Sequence, residues 1–356
     1  MQKRTNDVNI INSKQFLILI PAHNEEKVIR ETLKSIKNLD FPHNNFDVIV
    51  IEDNCTDNTY EIVKKAGFFC FVKDDGEPKS KTYALKWFLE NFNELNRYKR
   101  IIILDADTII EKNFLKIVSN YEDKVLQSFV NPLFDKNSIT SSLSAYSEII
   151  SQKFKDNIKS KFNWPCILRG TGMVINSEIF NNYISLLKTQ IEDTELSILL
   201  VRDGIKINYV PNAIINDPKP LSIQKASSQR ARWLFGQYQI IKYYWKDLLK
   251  IAFSNIGNFF FVIDIVFKPK TLFYLIEVLL LLFFIFTNFS IKIFFIIFLS
   301  ILIFLDILYF FIGGFFVEDK KHYYKTLLFS PIYIIIWLIS VIKMMLVRGK
   351  KWLKAR

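Results

Sequence analysis

Residues 101–107 read Ile-Ile-Ile-Leu-Asp-Ala-Asp, an apolar run that ends abruptly in two carboxylates one residue apart. No polar residue alternates with the aliphatics, so the run reads as a strand covered on both faces, as in a parallel sheet sandwiched by helices. Ligands collect at the carboxyl ends of such strands, which is where Asp105 and Asp107 fall. If the strand continued through them, alternation would turn both side chains the same way. Hard oxygen donors of this kind suit Mg²⁺ or Mn²⁺, completed by water and a substrate phosphate. An Asp-rich turn that merely closes a strand is the plainer alternative.

Two earlier stretches repeat the pattern. Phe16-Leu-Ile-Leu-Ile20 predicts a buried strand stopped by Pro21-Ala22-His23-Asn24-Glu25-Glu26, and Val28, Ile29, Leu33 and Ile36 then follow at helical spacing. Residues 47–51 predict a second strand running into Glu52-Asp53-Asn54-Cys55-Thr56-Asp57-Asn58-Thr59, which caps a helix carrying Ile62 and Val63. Residues 81–92 are helical, and the strand at 101–104 comes next. Three alternations of strand and helix argue an α/β layer fold with a mainly parallel sheet. Further on, 125–132 predicts a strand and 143–162 a helix. Arg169-Gly170-Thr171-Gly172 is a bend leading into a short apolar run, either a tight turn between strands or a substrate contact. Glu192, Asp193 and Glu195 open a helical run to Val201, and 208–211 returns as a strand. Carboxylates at a helix start are also favoured by the dipole alone.

Composition narrows the partners. Three cysteines, Cys55, Cys70 and Cys166, form no disulfide framework or zinc spacing, which points to a reducing compartment. Three histidines argue against a zinc or iron centre. The polar tail 1–14 lacks the apolar core of a signal peptide. The formal charge of +12 comes with no basic stripe and stacking aromatics outside the apolar half, so nucleic acid is not the expected partner. Anionic lipid headgroups and phosphate-bearing substrates are.

After Pro220 the character changes. Residues 222–249 predict a basic, aromatic helix on which Gln229, Arg232 and Trp233 stand at i, i+3 and i+4 and share a face. Such a helix lies in a membrane interface, or is a solvated helix packed by its aromatics. Residues 272–288 and 293–316 approach the roughly 20 apolar residues that cross a bilayer and predict a helical hairpin, with Glu277 and Asp306 inside it. Residues 327–347 are a third candidate. Three spans would put the basic segment 348–356 outside a cytoplasmic catalytic domain, against the positive-inside tendency, so 327–347 is re-entrant or 251–267 supplies another crossing. The expected division is a tail at 1–14, an α/β domain at 15–220, interfacial helices at 221–270 and a membrane region at 271–356.

In this order the motifs Pro21-Ala-His-Asn-Glu25, Glu52-Asp-Asn-Cys-Thr-Asp57, Lys81 with Ala84-Leu85, Asp105-Ala-Asp107, Arg169-Gly-Thr-Gly172, Glu192-Asp193 and Gln229-Arg-Ala-Arg-Trp233 resemble the membrane-bound, synthase-like glycosyltransferases of family 2. That group includes cellulose, chitin, hyaluronan and poly-N-acetylglucosamine synthases. The resemblance implies a nucleotide-sugar-binding domain of the GT-A type, an inverting transfer, a UDP-sugar donor and Mg²⁺ or Mn²⁺. Carried over by position, Pro21, Ala22, Asn24 and Glu25 form the nucleotide pocket, Asp53 meets the base, and Lys81 lies near ribose and diphosphate. Asp105 faces ribose and donor sugar, and Asp107 holds the metal with Asp105. Asp193 is the catalytic base, Arg232 contacts the diphosphate, Trp233 is the acceptor-side platform, and Gln229 belongs to the same motif.

Two departures are visible: the acidic pair after the second strand is Glu52-Asp53, and Ser80 stands where a glycine is usual. The implied partners are a nucleotide sugar, a glycan or lipid-linked acceptor and the bilayer of the cell membrane, with the catalytic domain cytoplasmic on a multi-pass chain. A processive polymerase would need a channel of several helices, hence a homo-oligomer or a channel partner. Transfer of a single sugar to a polyprenyl phosphate, or a non-catalytic accessory subunit, are the competing readings.

Overall fold

The computed structural model describes residues 14–76, 80–288 and 290–347. Residues 1–13 of the polar tail and the basic segment 348–356 lie outside the described residues. Among the described residues eight strands form one sheet: β1 (Lys14–Ala22), β2 (Phe46–Asp53), β3 (Phe69–Lys73), β4 (Tyr98–Ile103), β5 (Ile109–Ile110), β6 (Val125–Leu133), β7 (Met173–Asn176) and β8 (Asn208–Pro218). Their order is β3-β2-β1-β4-β7-β6-β8-β5. β3, β2, β1 and β4 run parallel, as do β6 and β8, while β7 lies antiparallel between β4 and β6, and β5 antiparallel on β8. The sheet is mixed and mostly parallel.

Both faces are covered, which is why the strands show no polar alternation. Leu17, Leu19, Ile49, Ile51, Ile101 and Ile103 point into one core, with the helices Lys81–Asn91, Ser177–Ile184 and Glu192–Arg202. Phe16, Ile18, Ile20, Val48, Val50 and Ile102 point into the other, with Ile29–Lys37 and Phe114–Ser119. The strand β3 is absent from the sequence pattern because it is a half-open edge, with Phe69 54% and Val72 46% exposed. β8 outlasts the expected 208–211 because the chain stutters beside Pro211: the register jumps from Val210 opposite Ser128 to Ile214 opposite Phe129, then pairing resumes. The helix expected at 143–162 is Ile139–Ile150, a wider π turn at Ser151–Asp156, and Asn157–Lys161.

The helix Ile223–Ala252 leaves the sheet domain, and Ile256–Val266 folds back so that Phe261, Val262 and Ile265 join the first core. The expectation of two complete spans is met by one helix alone, or by up to three spans if bent pairs are counted. Only Lys292–Phe316, at 25 residues, is by itself long and apolar enough to cross a membrane among the described residues. Lys270–Phe286 has 17 residues, about 25 Å of helix against a hydrocarbon core of about 30 Å. It meets Ile256–Val266 at an 83° bend, and Lys320–Leu327 meets the last helix at 59°. Counting each bent pair as one span gives up to three, by length and composition. The hairpin partners do pack: Phe284 stacks on Phe295 at 4.6 Å.

Candidate active site

The parallel strands β1, β2 and β4 end on one edge, and their loops lock together there. Asn24, at φ +56°, accepts a hydrogen bond from Thr56 N at 2.7 Å through Oδ1. Glu25 N donates to Thr59 Oγ1 at 2.9 Å, and Asn58 Nδ2 to Glu26 Oε2 at 2.9 Å. Pro21 and Ala22 sit in register with Ile51 and Glu52. Asp53 is 2% exposed, and its carboxylate accepts from Lys73 Nζ at 2.8 Å and Asn54 Nδ2 at 2.8 Å. Lys73 also pairs with Asp75. Asp53 is thus first of all half of a buried ion pair, and Asn24 first of all a loop clasp.

The strand β4 stops at Ile103, and residues after Leu104 turn, with Thr108 N donating to Asp105 O at 3.1 Å. The strand does not continue through Asp105 and Asp107, so the alternation that would turn both side chains one way does not apply to them. The Asp105 side chain is 41% exposed, whereas Asp107 is 6% exposed. Pairing of Ile103 with Met173 brings the glycine bend alongside: Gly172 N donates to Ile103 O, and Asp105 N donates to Thr171 Oγ1 at 3.1 Å. Gly172, at φ +65°, leaves no room for a side chain, because a Cβ would stand 2.0 Å from Ser128 Oγ.

One cation ties this edge to the start of the helix Glu192–Arg202. Lys81 Nζ donates to Asp105 Oδ1 at 2.6 Å and to Gly170 O at 2.6 Å, and stands 3.2 Å from Glu192 Oε1. A Cβ on Gly170 would touch Asp193 Oδ2 at 3.6 Å and Glu192 Oε1 at 4.0 Å. Asp193, Glu192, Lys81 and Asp105 therefore line one site. Ser197 Oγ, donating to Asp193 O at 2.7 Å and accepting from Leu168 N at 2.9 Å, holds the helix against the glycine bend.

Burial pushes the Glu192 carboxyl up to about 7, partly offset by the Lys81 ammonium and reinforced by Asp193 and Asp105. Burial also raises Asp193, against the pull of Thr194 N–H, Lys268 and Lys81. Burial lowers Lys81, but Asp105 and Glu192 more than compensate and keep it charged. Sequence reading placed Glu192 in the Glu192-Asp193 motif, with a helix-start carboxylate as the alternative, and singled out Lys81 separately; the pairing of the two was not visible. Glu195 is structural: fully buried, it accepts from Lys188 N, Thr189 N and Tyr244 OH.

The helix Ile223–Ala252 closes the site from the other side. A Cβ on Gly236 would stand 2.5 Å from Ile191 Cγ2, and Gln239 Oε1 accepts from Gln190 N at 3.0 Å. Gln229, Arg232 and Trp233 lie seven, four and three residues before Gly236, on the helix face that meets Ile191. Trp233 is 44% exposed. Neither Gly236 nor Lys73 carries a signal in the sequence; close helix approach and cross-strand pairing alone single them out.

Among the described residues no group of three or more His, Cys, Asp or Glu side chains is arranged to hold a metal ion. The donor set on offer is the two carboxylates of one turn. Such hard donors fit Mg²⁺ or Mn²⁺, which keep water and take substrate phosphates to complete the shell. Of the two, Asp105 is also tied to Lys81.

The sequence model described as Glycosyltransferase like family 2 matches residues 14–236, and the chain belongs to that family. The "Probable glycosyltransferase YdaM" of Bacillus subtilis is 30% identical over 261 residues, covering 68% of this chain and 61% of that protein. Poly-beta-1,6-N-acetyl-D-glucosamine synthase of Staphylococcus epidermidis is 26% identical over 245 residues, 63% of this chain and 54% of the relative. The poly(ribitol-phosphate) beta-N-acetylglucosaminyltransferase TarS of Staphylococcus aureus is 31% identical over 117 residues, 31% of this chain and 19% of that protein. The chain thus spans less than two thirds of each of these relatives. The mannosyltransferase PcManGT from Pyrobaculum calidifontis, solved with GDP-Man and Mn²⁺, matches with a TM-score of 0.55 at 14% identity, over 94% of this chain and 87% of its own. That likeness shows a shared GT-A-like α/β fold.

Proposed function

We propose that this protein is a membrane-bound, metal-dependent, inverting glycosyltransferase that moves a sugar from a UDP-sugar to a glycan or lipid-linked acceptor at the cytoplasmic face. The observation that carries the reading is the cluster in which Lys81 joins Asp105 to Glu192 with Asp193 against Gly170. The donor lies across the ends of β1, β2 and β4. A divalent ion held by Asp107 and Asp105, when bound, neutralises charge that develops on the leaving diphosphate. Arg232 adds a fixed positive charge there. Asp193 takes the proton from the acceptor hydroxyl, whose oxygen forms the new bond to the anomeric carbon as the bond to UDP breaks on the opposite face. A carboxylate raised by burial is better matched to that task near neutral pH. Trp233 offers a flat apolar surface to the acceptor sugar while its indole N–H remains available.

Two relatives named for N-acetylglucosamine transfer make UDP-N-acetylglucosamine the first donor to try. The test is UDP release by the full chain in lipid with Mg²⁺ or Mn²⁺, across a panel of UDP-sugars. Asp107→Asn and Asp193→Asn should each lower kcat by about 10²-fold or more; unchanged turnover removes the mechanism. A second reading, one sugar placed on a polyprenyl phosphate, draws support from the one helix among the described residues that is long enough to span alone. Product sizing separates the two, a ladder of lengths against one lipid-linked sugar. Nucleotide-sugar binding without transfer to any acceptor would point to an accessory subunit instead.

A further inference from the structure

Two arginines two positions apart on the helix Ile223–Ala252 leave it on opposite sides, since two residues turn an α-helix by about 200°. Arg232 shares the face of Gly236, toward Ile191. Arg230 points away from it and is 2% exposed. Its Nη2 donates to Ser144 Oγ at 2.9 Å and to Tyr333 OH at 3.0 Å. The guanidinium lies 4.8 Å from the Tyr333 ring and 5.3 Å from the Trp337 ring. Its Nε and Nη1 find no hydrogen-bond partner among the described residues, nor does Trp337 Nε1.

Burying a guanidinium with donors unused is unfavourable. Aromatic faces recover part of that, but an aliphatic side chain would fill the space without the penalty. What the arginine adds is reach and direction: one planar group that meets the helix Ile139–Ile150 and the helix Ser330–Val347 together. Lys343, on the same last helix, fastens the first turns of Ile223–Ala252 a second time, through Gln224 O at 3.1 Å, Ser227 Oγ at 2.8 Å and Ser228 Oγ at 3.0 Å. On its far side the helix is pinned by Gly236 on Ile191 and Gln239 on Gln190, next to Asp193. It is therefore wedged between an apolar helix and the catalytic segment.

We propose that Arg230 is a positioning residue: by clamping the helix Ser330–Val347 to the back of the helix Ile223–Ala252, it sets where Arg232 and Trp233 stand relative to Asp193. The last helix is then part of the transfer machinery as well as an anchor. This rests on the transferase reading above. The test uses the full chain in lipid nanodiscs, with turnover expressed per UDP-binding site counted by titration. Arg230→Gln should bind one UDP per chain, keep the donor KM within twofold, and lose tenfold or more in kcat. Arg230→Lys, which retains the cation over the rings, should recover at least threefold of that loss. Wild-type kcat per site in Arg230→Gln overturns the proposal; so does a fall in UDP-binding sites that accounts for the whole loss of rate, which marks plain unfolding. If Arg230→Gln does not accumulate, Tyr333→Phe removes one bond of the clamp and should lower kcat two- to fivefold at unchanged donor KM; a wild-type rate there overturns it equally. Wild-type protein that releases no UDP defeats the transferase reading first and is told apart by that.

Discussion

Lys81 donates to Asp105 at 2.6 Å, so the first residue of one helix neutralises the carboxylate at the end of β4. The same ammonium stands 3.2 Å from Glu192 and hydrogen-bonds Gly170 O, and thereby joins the end of β4 to the helix start where Asp193 lies.

Replacing that cation should be felt on both sides. Lys81→Met removes the charge that offsets the burial of Glu192, so Glu192 titrates higher still. We expect kcat/KM for the UDP-sugar to fall by about 10²-fold, a differential of about 3 kcal/mol. Turnover against pH checks it: the acid limb should move upward, and an unmoved limb excludes the shared-cation account.

The pH profile of the wild type carries its own sign. As the proposed base Asp193 works deprotonated, and both it and Glu192 are raised by burial. The neighbours titrate as a pair, so the acid limb of kcat/KM should lie above the ordinary aspartate range. Stability runs the other way. A carboxyl raised in the folded state contributes most below its unfolded pKa, and that contribution is lost as pH rises through the folded value near 7. Glu192→Gln should therefore raise the unfolding midpoint more at pH 8.5 than at pH 4.5; an equal shift at both argues against it.

The two glycines of the bend should respond unequally. Both have positive φ, +79° at Gly170 and +65° at Gly172, which an alanine tolerates at about 1–2 kcal/mol. At Gly170 the added methyl meets Asp193 Oδ2 at an ordinary 3.6 Å. At Gly172 it collides with Ser128 Oγ and with Ile215 Cδ1 at 2.8 Å. Thermal melts should show Gly170→Ala modestly destabilised with reduced turnover and Gly172→Ala several-fold worse. Equal melts would remove the steric argument.

Lys73 and Asp53 are both buried, and cutting the pair leaves one charge uncompensated. Lys73→Ala should lose roughly 3–5 kcal/mol in denaturant unfolding. Asp53→Asn, which keeps an oxygen for Lys73 and leaves that lysine its contact with Asp75, should lose less. If Asp53 instead serves mainly the nucleotide base, Asp53→Asn lowers UDP affinity and neither substitution changes stability by that amount.

Much of the α/β layer was legible in residues 16–20, 47–51 and 101–104, because a strand buried on both faces has to be continuously apolar. The half-open edge β3 was not, since Phe69 and Val72 face solvent and break that rule. The stutter at Pro211 hid the second half of β8 for a related reason, a missing N–H interrupting the ladder. Of the candidate site, the acids at the strand ends were readable from where apolar runs stop. Their burial was not: the strand ends at Ile103, and the turn after it leaves the Asp105 side chain part-exposed and Asp107 buried.

Residue order alone determined which chemical groups exist and at which strand and helix ends they appear, because hydrophobic periodicity and local capping act over a few residues. Tertiary structure decided which of those groups share a charge. Asp53 found Lys73 across neighbouring strands, Asp105 and Glu192 found Lys81, and Arg230 and Arg232 were sent to opposite sides of one helix, one to Tyr333 and Trp337, the other to the face that meets Ile191. Electrostatic pairing depends on separation in space and on exclusion of water, and neither is written in separation along the chain.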